Sequence, residues 1–174
     1  HDSLTGLINR QFFLEKINEA IVRGVRGEQA FAVLCLNLDH FKDVNDSQGH
    51  PIGDELLRSV ANRLRKCLGM TDAVARLGGD EFAVLLTFVG YPGEAGIRAS
   101  KLIDAVSEPV TLKGNSFSIT ASIGISLYGT DADDAETLLA HADLAMHRAK
   151  AEGRNRYSFF TEEMDKEVRA RVGL

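Results

Sequence analysis

The 174-residue sequence predicts an α+β sandwich, with a mixed, largely antiparallel central sheet flanked by helices on both faces. Two observations carry this prediction. Stretches of apolar alternation and stretches of helical apolar spacing follow one another along the chain. Between two of the apolar runs lies Arg76-Leu77-Gly78-Gly79-Asp80-Glu81-Phe82, whose Gly-Gly pair supplies the positive φ of a tight hairpin and so requires antiparallel neighbours.

Over residues 8–25, Ile8, Phe12, Phe13, Ile17, Ala20 and Ile21 recur at helical spacing, with cap-like Asp2-Ser3 and Thr5-Gly6 ahead and Gly24 and Gly27 behind. Residues 31–38 read as a strand, with Ala32, Leu34, Leu36 and Leu38 on one face and Val33, Cys35, Asn37 and Asp39 on the other. Residues 37–54 are too polar and too particular for a simple strand-to-helix connection. A helix over 52–68 turns Leu56, Leu57, Val60, Leu64 and Leu68 inward, and Gly69 stops it. The hairpin strands 73–77 and 82–88 follow, then a helix over 95–106, a short strand 110–112 and a long strand 117–128. A helix over 135–151 closed by Gly153 and a strand 156–160 complete a domain of residues 1–160. Residues 161–174 are charged, with Met164, Val168 and Val172 at helical spacing, and read as a linker helix toward a further C-terminal domain.

A chain of this length buries roughly 70% of its unfolded surface and stands without staples. Cys35 falls in the strand pattern and Cys67 in a helix pattern, so both read as reduced core thiols. The net charge of −5 argues against nucleic acid as a partner, whereas one triphosphate needs only local positive charge. No apolar run approaches the roughly 20 residues of a membrane span. His1-Asp2-Ser3 lacks the parts of a signal peptide, so the expectation is an internal fragment of a larger cytoplasmic protein, without membrane contact of its own.

Asp80 and Glu81 stand at the hairpin rim, where carboxylates can hold Mg²⁺ and accept a proton; the plainer alternative is a turn with solvated acids. Asn37 and Asp39 share a strand face and can point at one metal, while Lys42 can place a cation on a phosphate just past the strand end. Asp54 has two readings: a favourable charge at a helix start, or a carboxylate accepting from guanine N1–H and N2–H₂ beside Asn45. Lys150 and Arg154 likewise serve either the helix dipole or phosphate capture. His141 and His147, six residues apart, do not share a helix face and so do not make a metal pair.

Phe41-Lys42-x-x-Asn45-Asp46-x-x-Gly49-His50-x-x-Gly53-Asp54, Gly78 to Phe82, Ser122-Ile123-Gly124-Ile125, and Ala142-Asp143 through Lys150 to Gly153-Arg154-Asn155-Arg156 occur in order after Asp2-Ser3-Leu4-Thr5-Gly6-Leu7-Ile8-Asn9-Arg10. Together they resemble the GGDEF family of diguanylate cyclases, nearly end to end. The resemblance implies a nucleotidyl-cyclase or polymerase-palm-like sheet and condensation of two GTP into cyclic di-GMP, with two Mg²⁺ (or Mn²⁺) per site and a second copy of the domain facing the first. By position it assigns Asn45 and Asp54 to guanine, with Phe41, Gly78 and Gly79 in the substrate site, and Lys42, Lys150 and Arg154 to phosphates. Asp80 becomes metal ligand and proton acceptor with Glu81 supporting, Lys42 joins the catalytic set, and Leu38 offers a backbone carbonyl to metal, with Asp39 a candidate further ligand. An upstream sensor and an adjacent EAL phosphodiesterase domain are the implied neighbours. Two departures stand out. Asn37 replaces an acid that serves as metal ligand, and Gly69 replaces the arginine of the product-inhibition motif that ends in Asp72. A weakened cyclase, a GTP-sensing domain without turnover and a bare dimerisation module are therefore the competing readings, the last being disfavoured by the guanine-reading pair.

Overall fold

The structure, a computed structural model, describes residues 1–25 and 30–171. Gly27 and Val172 lie outside the described residues. The chain runs α1 (Arg10–Val25), β1 (Ala32–Leu38), α2 (Phe41–Gln48), α3 (His50–Lys66), β2 (Ala73–Gly78), β3 (Glu81–Leu86) and α4 (Pro92–Ser107). It continues through β4 (Val110–Leu112), β5 (Asn115–Phe117), β6 (Ala121–Leu127), α5 (Ala135–Ala151), β7 (Arg156–Phe159) and α6 (Glu162–Arg171).

Strand β1 is buried along its whole length, as a run apolar on both faces must be. It lies at the middle of a five-stranded sheet ordered β2-β3-β1-β6-β7, antiparallel except for the β6–β7 pair. Leu34 and Leu36 face a core completed by Leu56, Val60 and Leu64 of α3 and Ala99 and Leu102 of α4. Val33 and Cys35 face Phe13 and Ile17 of α1 and Leu138 and Met146 of α5. The sandwich is thus the one expected, with helices on both faces of a mixed sheet. No helix among the described residues is long and apolar enough to cross a membrane.

Several boundaries differ from the sequence reading, each for a local reason. Helix α1 begins at Arg10 because the Asn9 side chain accepts the Phe12 N–H at 3.0 Å, while Ile8 bridges to Ala75 of β2. Phe12 points outward, 44% exposed. Asp2 does not cap α1 but closes its own turn, accepting from Thr5 N and Thr5 Oγ1. The polar stretch after β1 folds into α2, which sequence periodicity missed because Phe41 is its sole buried residue. Gly49, at φ 91, separates α2 from α3, so α3 begins at His50 and Asp54 is no longer at its start. The expected long strand over 117–128 is two strands: Lys113 and Gly114, at φ 49 and 81, turn β4 back onto β5, and β6 starts afresh in the main sheet. Cys67 is exposed at the end of α3, not a core thiol, whereas Cys35 is buried.

One contact sets the thickness of the sandwich. On the α5 side β6 presents only Ser122, Gly124 and Ser126, and α5 answers with Ala142, Ala145 and Ala149. A Cβ on Gly124 would lie 2.0 Å from the Ala142 carbonyl oxygen and 2.1 Å from the Met146 amide nitrogen, both backbone atoms that cannot step aside. Gly124→Ala is therefore expected to destabilise the domain by roughly 1–3 kcal/mol or more, read as a lower urea midpoint; an unchanged midpoint would mean that α5 is free to lift.

Candidate nucleotide and metal site

The sheet gathers the candidate residues at one end. Asn37, next to last in β1, pairs with Glu81 at the start of β3, Leu38 pairs with Ala121 at the start of β6, and Ser122 pairs with Arg156 at the start of β7. The Gly78-Gly79 turn, at φ 145 and 51, closes over this end, and α2 leaves from it.

Asn37 and Asp80 are in direct contact: Asn37 Nδ2 donates to Asp80 Oδ1 at 3.1 Å, and Leu38 N donates to the Asp80 carbonyl at 3.2 Å. Asn37 Oδ1 is buried without a hydrogen-bond partner. A half-turn of the amide would set that unpaired oxygen beside the carboxylate, a pair that suits a hard divalent cation, and Mg²⁺ usually takes one or two carboxylates and completes its octahedron with other oxygens, water and phosphate among them. Among the described residues no group of three or more His, Cys, Asp or Glu converges for a metal, so such an ion would rely on oxygens of a nucleotide.

Asp39, two residues on, serves differently. Its Oδ1 accepts from Ser122 Oγ at 2.7 Å, and its Oδ2 accepts from Thr120 Oγ1 at 2.7 Å and Asn155 N at 3.0 Å. The carboxylate thereby ties the end of β1 to β6 and to the turn that carries Arg154. That turn follows α5, with Arg154 and Asn155 at φ 62 and 50. Arg154 therefore does not ride on α5 with Lys150 but is held beyond the helix end by its own amide, which donates to the Ala149 carbonyl at 3.0 Å.

Glu81 has its carboxyl pushed above the usual range, first by burial and then by the charges of Asp143 and Asp80, with His147 and Lys150 pulling the other way. Asp143, His147 and Lys150 all project from α5, and His147 Nε2 lies 3.5 Å from Asp143 Oδ2. The two histidines separate as expected, since His141 stacks on Phe160 with ring centroids 3.8 Å apart. Across α2 and α3, Asn45 Oδ1 is buried with no partner, Phe41 packs beneath, Asp54 is half-buried and Lys42 is exposed. Because Asp54 lies past the first turn of α3, the helix-dipole reading loses its basis. A cavity of about 520 Å³ opens beside it, lined by Pro51, Arg58, Thr111 and Lys113 among others.

The family described as Diguanylate cyclase, GGDEF domain, matches residues 1–156. The chain belongs to the GGDEF family. The bifunctional diguanylate cyclase/cyclic di-GMP phosphodiesterase MucR of Pseudomonas aeruginosa is 42% identical over 100% of this chain and 25% of its own length. The cyclic di-GMP phosphodiesterase NbdA of the same organism is 43% identical over 94% of this chain and 21% of its own. The solved GGDEF domain of TpbB, also from Pseudomonas aeruginosa, superposes with a TM-score of 0.93 at 38% identity, covering 97% of this chain and 99% of that one. The chain thus spans about a quarter or less of the length of MucR and NbdA.

On this GGDEF framework two residues without an assigned role in the sequence reading become visible. Arg76 donates from Nε and Nη2 to the Gly79 carbonyl at 3.0 and 2.8 Å and from Nη1 to Asp2 Oδ1 at 3.0 Å, so it joins the chain entry to the Gly-Gly turn. Burial alone would raise the Asp2 carboxyl, but its bonds from Thr5 and the Arg76 guanidinium hold it below the usual range. Asp143 is the second; only the fold brings it to Glu81. At the far end of the hairpin, Asp72 is buried against Arg98 and accepts from Gly69 N and Thr87 N, so its carboxylate is engaged within the domain.

The Asp39 brace makes a prediction that separates it from a metal ligand. Asp39→Ala leaves two hydroxyls and the Asn155 amide without their acceptor and should cost at least about 1.5–3 kcal/mol in Mg²⁺-free buffer containing a chelator. A variant as stable as the wild type there, losing only Mg²⁺ affinity, would assign Asp39 to the metal instead.

Proposed function

We propose that this domain binds GTP with Mg²⁺ and that two facing copies condense two GTP into cyclic di-GMP and pyrophosphate, with turnover weakened by Asn37. Asp54 accepts from guanine N1–H and N2–H₂, a donor pair that adenine lacks, and Asn45 meets a neighbouring edge. Lys42, Lys150 and Arg154 neutralise the phosphates, and the bare Gly78-Gly79 backbone lets the nucleotide lie against the hairpin. Asp80 accepts the proton of the attacking 3′-hydroxyl, and Glu81, crowded by two other acids, supports it. Mg²⁺ held by Asp80, by Asn37 Oδ1 and by the Leu38 carbonyl would supply charge stabilisation at the attacking and leaving oxygens of the in-line displacement.

The observation that carries this reading is the Asn37–Asp80 contact, because the amide sits where it can share a cation with the carboxylate yet brings no charge of its own. Losing one charge-assisted contact is worth about 1.5–3 kcal/mol, roughly ten- to a hundredfold in rate. The same contact favours a second reading, a GTP-sensing domain without turnover that controls an adjacent EAL phosphodiesterase: the amide donor satisfies Asp80 with no ion present. The name of NbdA, which mentions a phosphodiesterase alone, is in keeping with that reading. In either case the domain works inside a longer cytoplasmic protein with a sensor upstream.

Incubation with GTP and Mg²⁺ or Mn²⁺, followed by product separation, tests turnover. Asn37→Asp should raise cyclase activity at least about tenfold by returning an anionic oxygen to the metal, compared at equal and high protein concentration so that encounter of two copies is not limiting. The same variant should be less stable than the wild type without Mg²⁺, where two carboxylates then face each other, and should gain more from adding it. Wild-type turnover already high and unchanged by the substitution would remove the impaired-metal reading. For the base, calorimetry on Asp54→Ala should show GTP weakened by roughly 1.5–3 kcal/mol with ATP binding little changed; equal binding of GTP and ATP by the wild type would end the guanine assignment.

A further inference from the structure

Gly53 is a glycine that its backbone does not require. It lies near the start of α3 and is not among the residues with positive φ, and in such a position alanine is the better helix former. Its reason is spatial. A Cβ there would lie 1.8 Å from Asn45 Oδ1, 3.0 Å from Asn45 Cγ and 3.2 Å from Phe41 Cζ. The carboxamide of Asn45 therefore rests in the gap left by the missing side chain, with its oxygen buried against α3 and bonded to nothing.

We infer that Gly53 is a specificity-determining position, a slot in α3 that seats the Asn45 oxygen inward and so leaves the Nδ2 donor for the base. The inference rests on the guanine reading and adds the direction in which Asn45 is used. On guanine the N1–H and N2–H₂ donors that a carboxylate reads are flanked by acceptors, O6 on one side and N3 on the other. A donor beside the Asp54 carboxylate complements either flank, O6 or N3; an oxygen there would find only the second N2–H, on the N3 side, and would leave the neighbouring acceptor unmet. With Gly53 and Asp54 adjacent, one turn of α3 both reads the base and fixes the orientation of its partner. A side chain at position 53 would swing Asn45 out of the slot and release that orientation, without touching the cations or Asp80.

A two-by-two cycle of Gly53→Ala and Asn45→Ala tests this, with GTP and ATP affinities by calorimetry and the thermal midpoint without nucleotide. Gly53→Ala should weaken GTP roughly three- to tenfold, the loss of one hydrogen bond, matching Asn45→Ala, and the double variant should be no weaker than either. GTP affinity unchanged by Gly53→Ala, or losses that multiply in the double variant, would overturn the slot. Should Gly53→Ala fail to fold, a folded double variant upholds the clash with Asn45, and an unfolded one overturns it. If the wild type shows no preference for GTP over ATP, the guanine reading falls separately, and the midpoints alone decide the slot. Gly53→Ala must then raise the midpoint more with Asn45→Ala than without it; equal shifts reject it.

Discussion

The approach of α5 to β6 fixes the candidate site more firmly than any group within it. At Gly124 the helix meets strand backbone with no side chain between, so its position is set by atoms that neither rotate nor compress. Larger residues at 122, 124 or 126 would push the helix outward and carry Asp143, His147 and Lys150 with it. The electrostatics around Glu81 thus depend on three small residues that carry no charge, and the turn bearing Arg154 inherits its place from the same helix.

Asn37 and Asp39 show how two polar residues on one strand face come to opposite uses. Asp39, an anion with three donors around it, has its charge dispersed inside the protein and is costly to disturb. Asn37 uses only its donor, and its oxygen remains buried and unpaired, an arrangement that native proteins rarely keep without a reason. In an asparagine, donor and acceptor are interchanged by a half-turn of the amide. The pair with Asp80 therefore has two orientations, one complementary to the carboxylate alone and one complementary to a cation.

Much of this was legible in the residues because the signals were local. The Gly-Gly hairpin, the doubly apolar β1 and the bounds of α5 follow from turn chemistry and periodicity over a few residues. Helix α2 was not legible, since it buries little and its polar positions read as loop. The split of the 117–128 stretch was hidden because apolar alternation does not record which sheet a strand joins. At the site, the identities of Asp80, Asn45 and Asp54 could be picked out by motif, while the role of Asp39, the place of Arg154 and the partnership of Asp143 with Glu81 depend on elements far apart in sequence. Gly53 stood within a quoted motif with no function attached, because a glycine's spatial reason appears only when its neighbour's side chain is seen.

The sheet also ends in a way that limits how copies of the domain can associate. A free edge strand offers a ladder of unpaired amides and carbonyls to any similar edge, and aggregation by that route is a standing hazard of open sheets. Here β2 at one margin is already partly covered, its Arg76 amide donating to the Ile8 carbonyl and Ala75 bridged by Ile8. The other margin, β7, has only four residues, bears Arg156 and turns directly into α6. Neither margin is suited to extension by a second sheet, so the facing pair of copies in the proposed function would have to be joined by side chains and nucleotide, a contact that can be made and broken without unzipping any backbone.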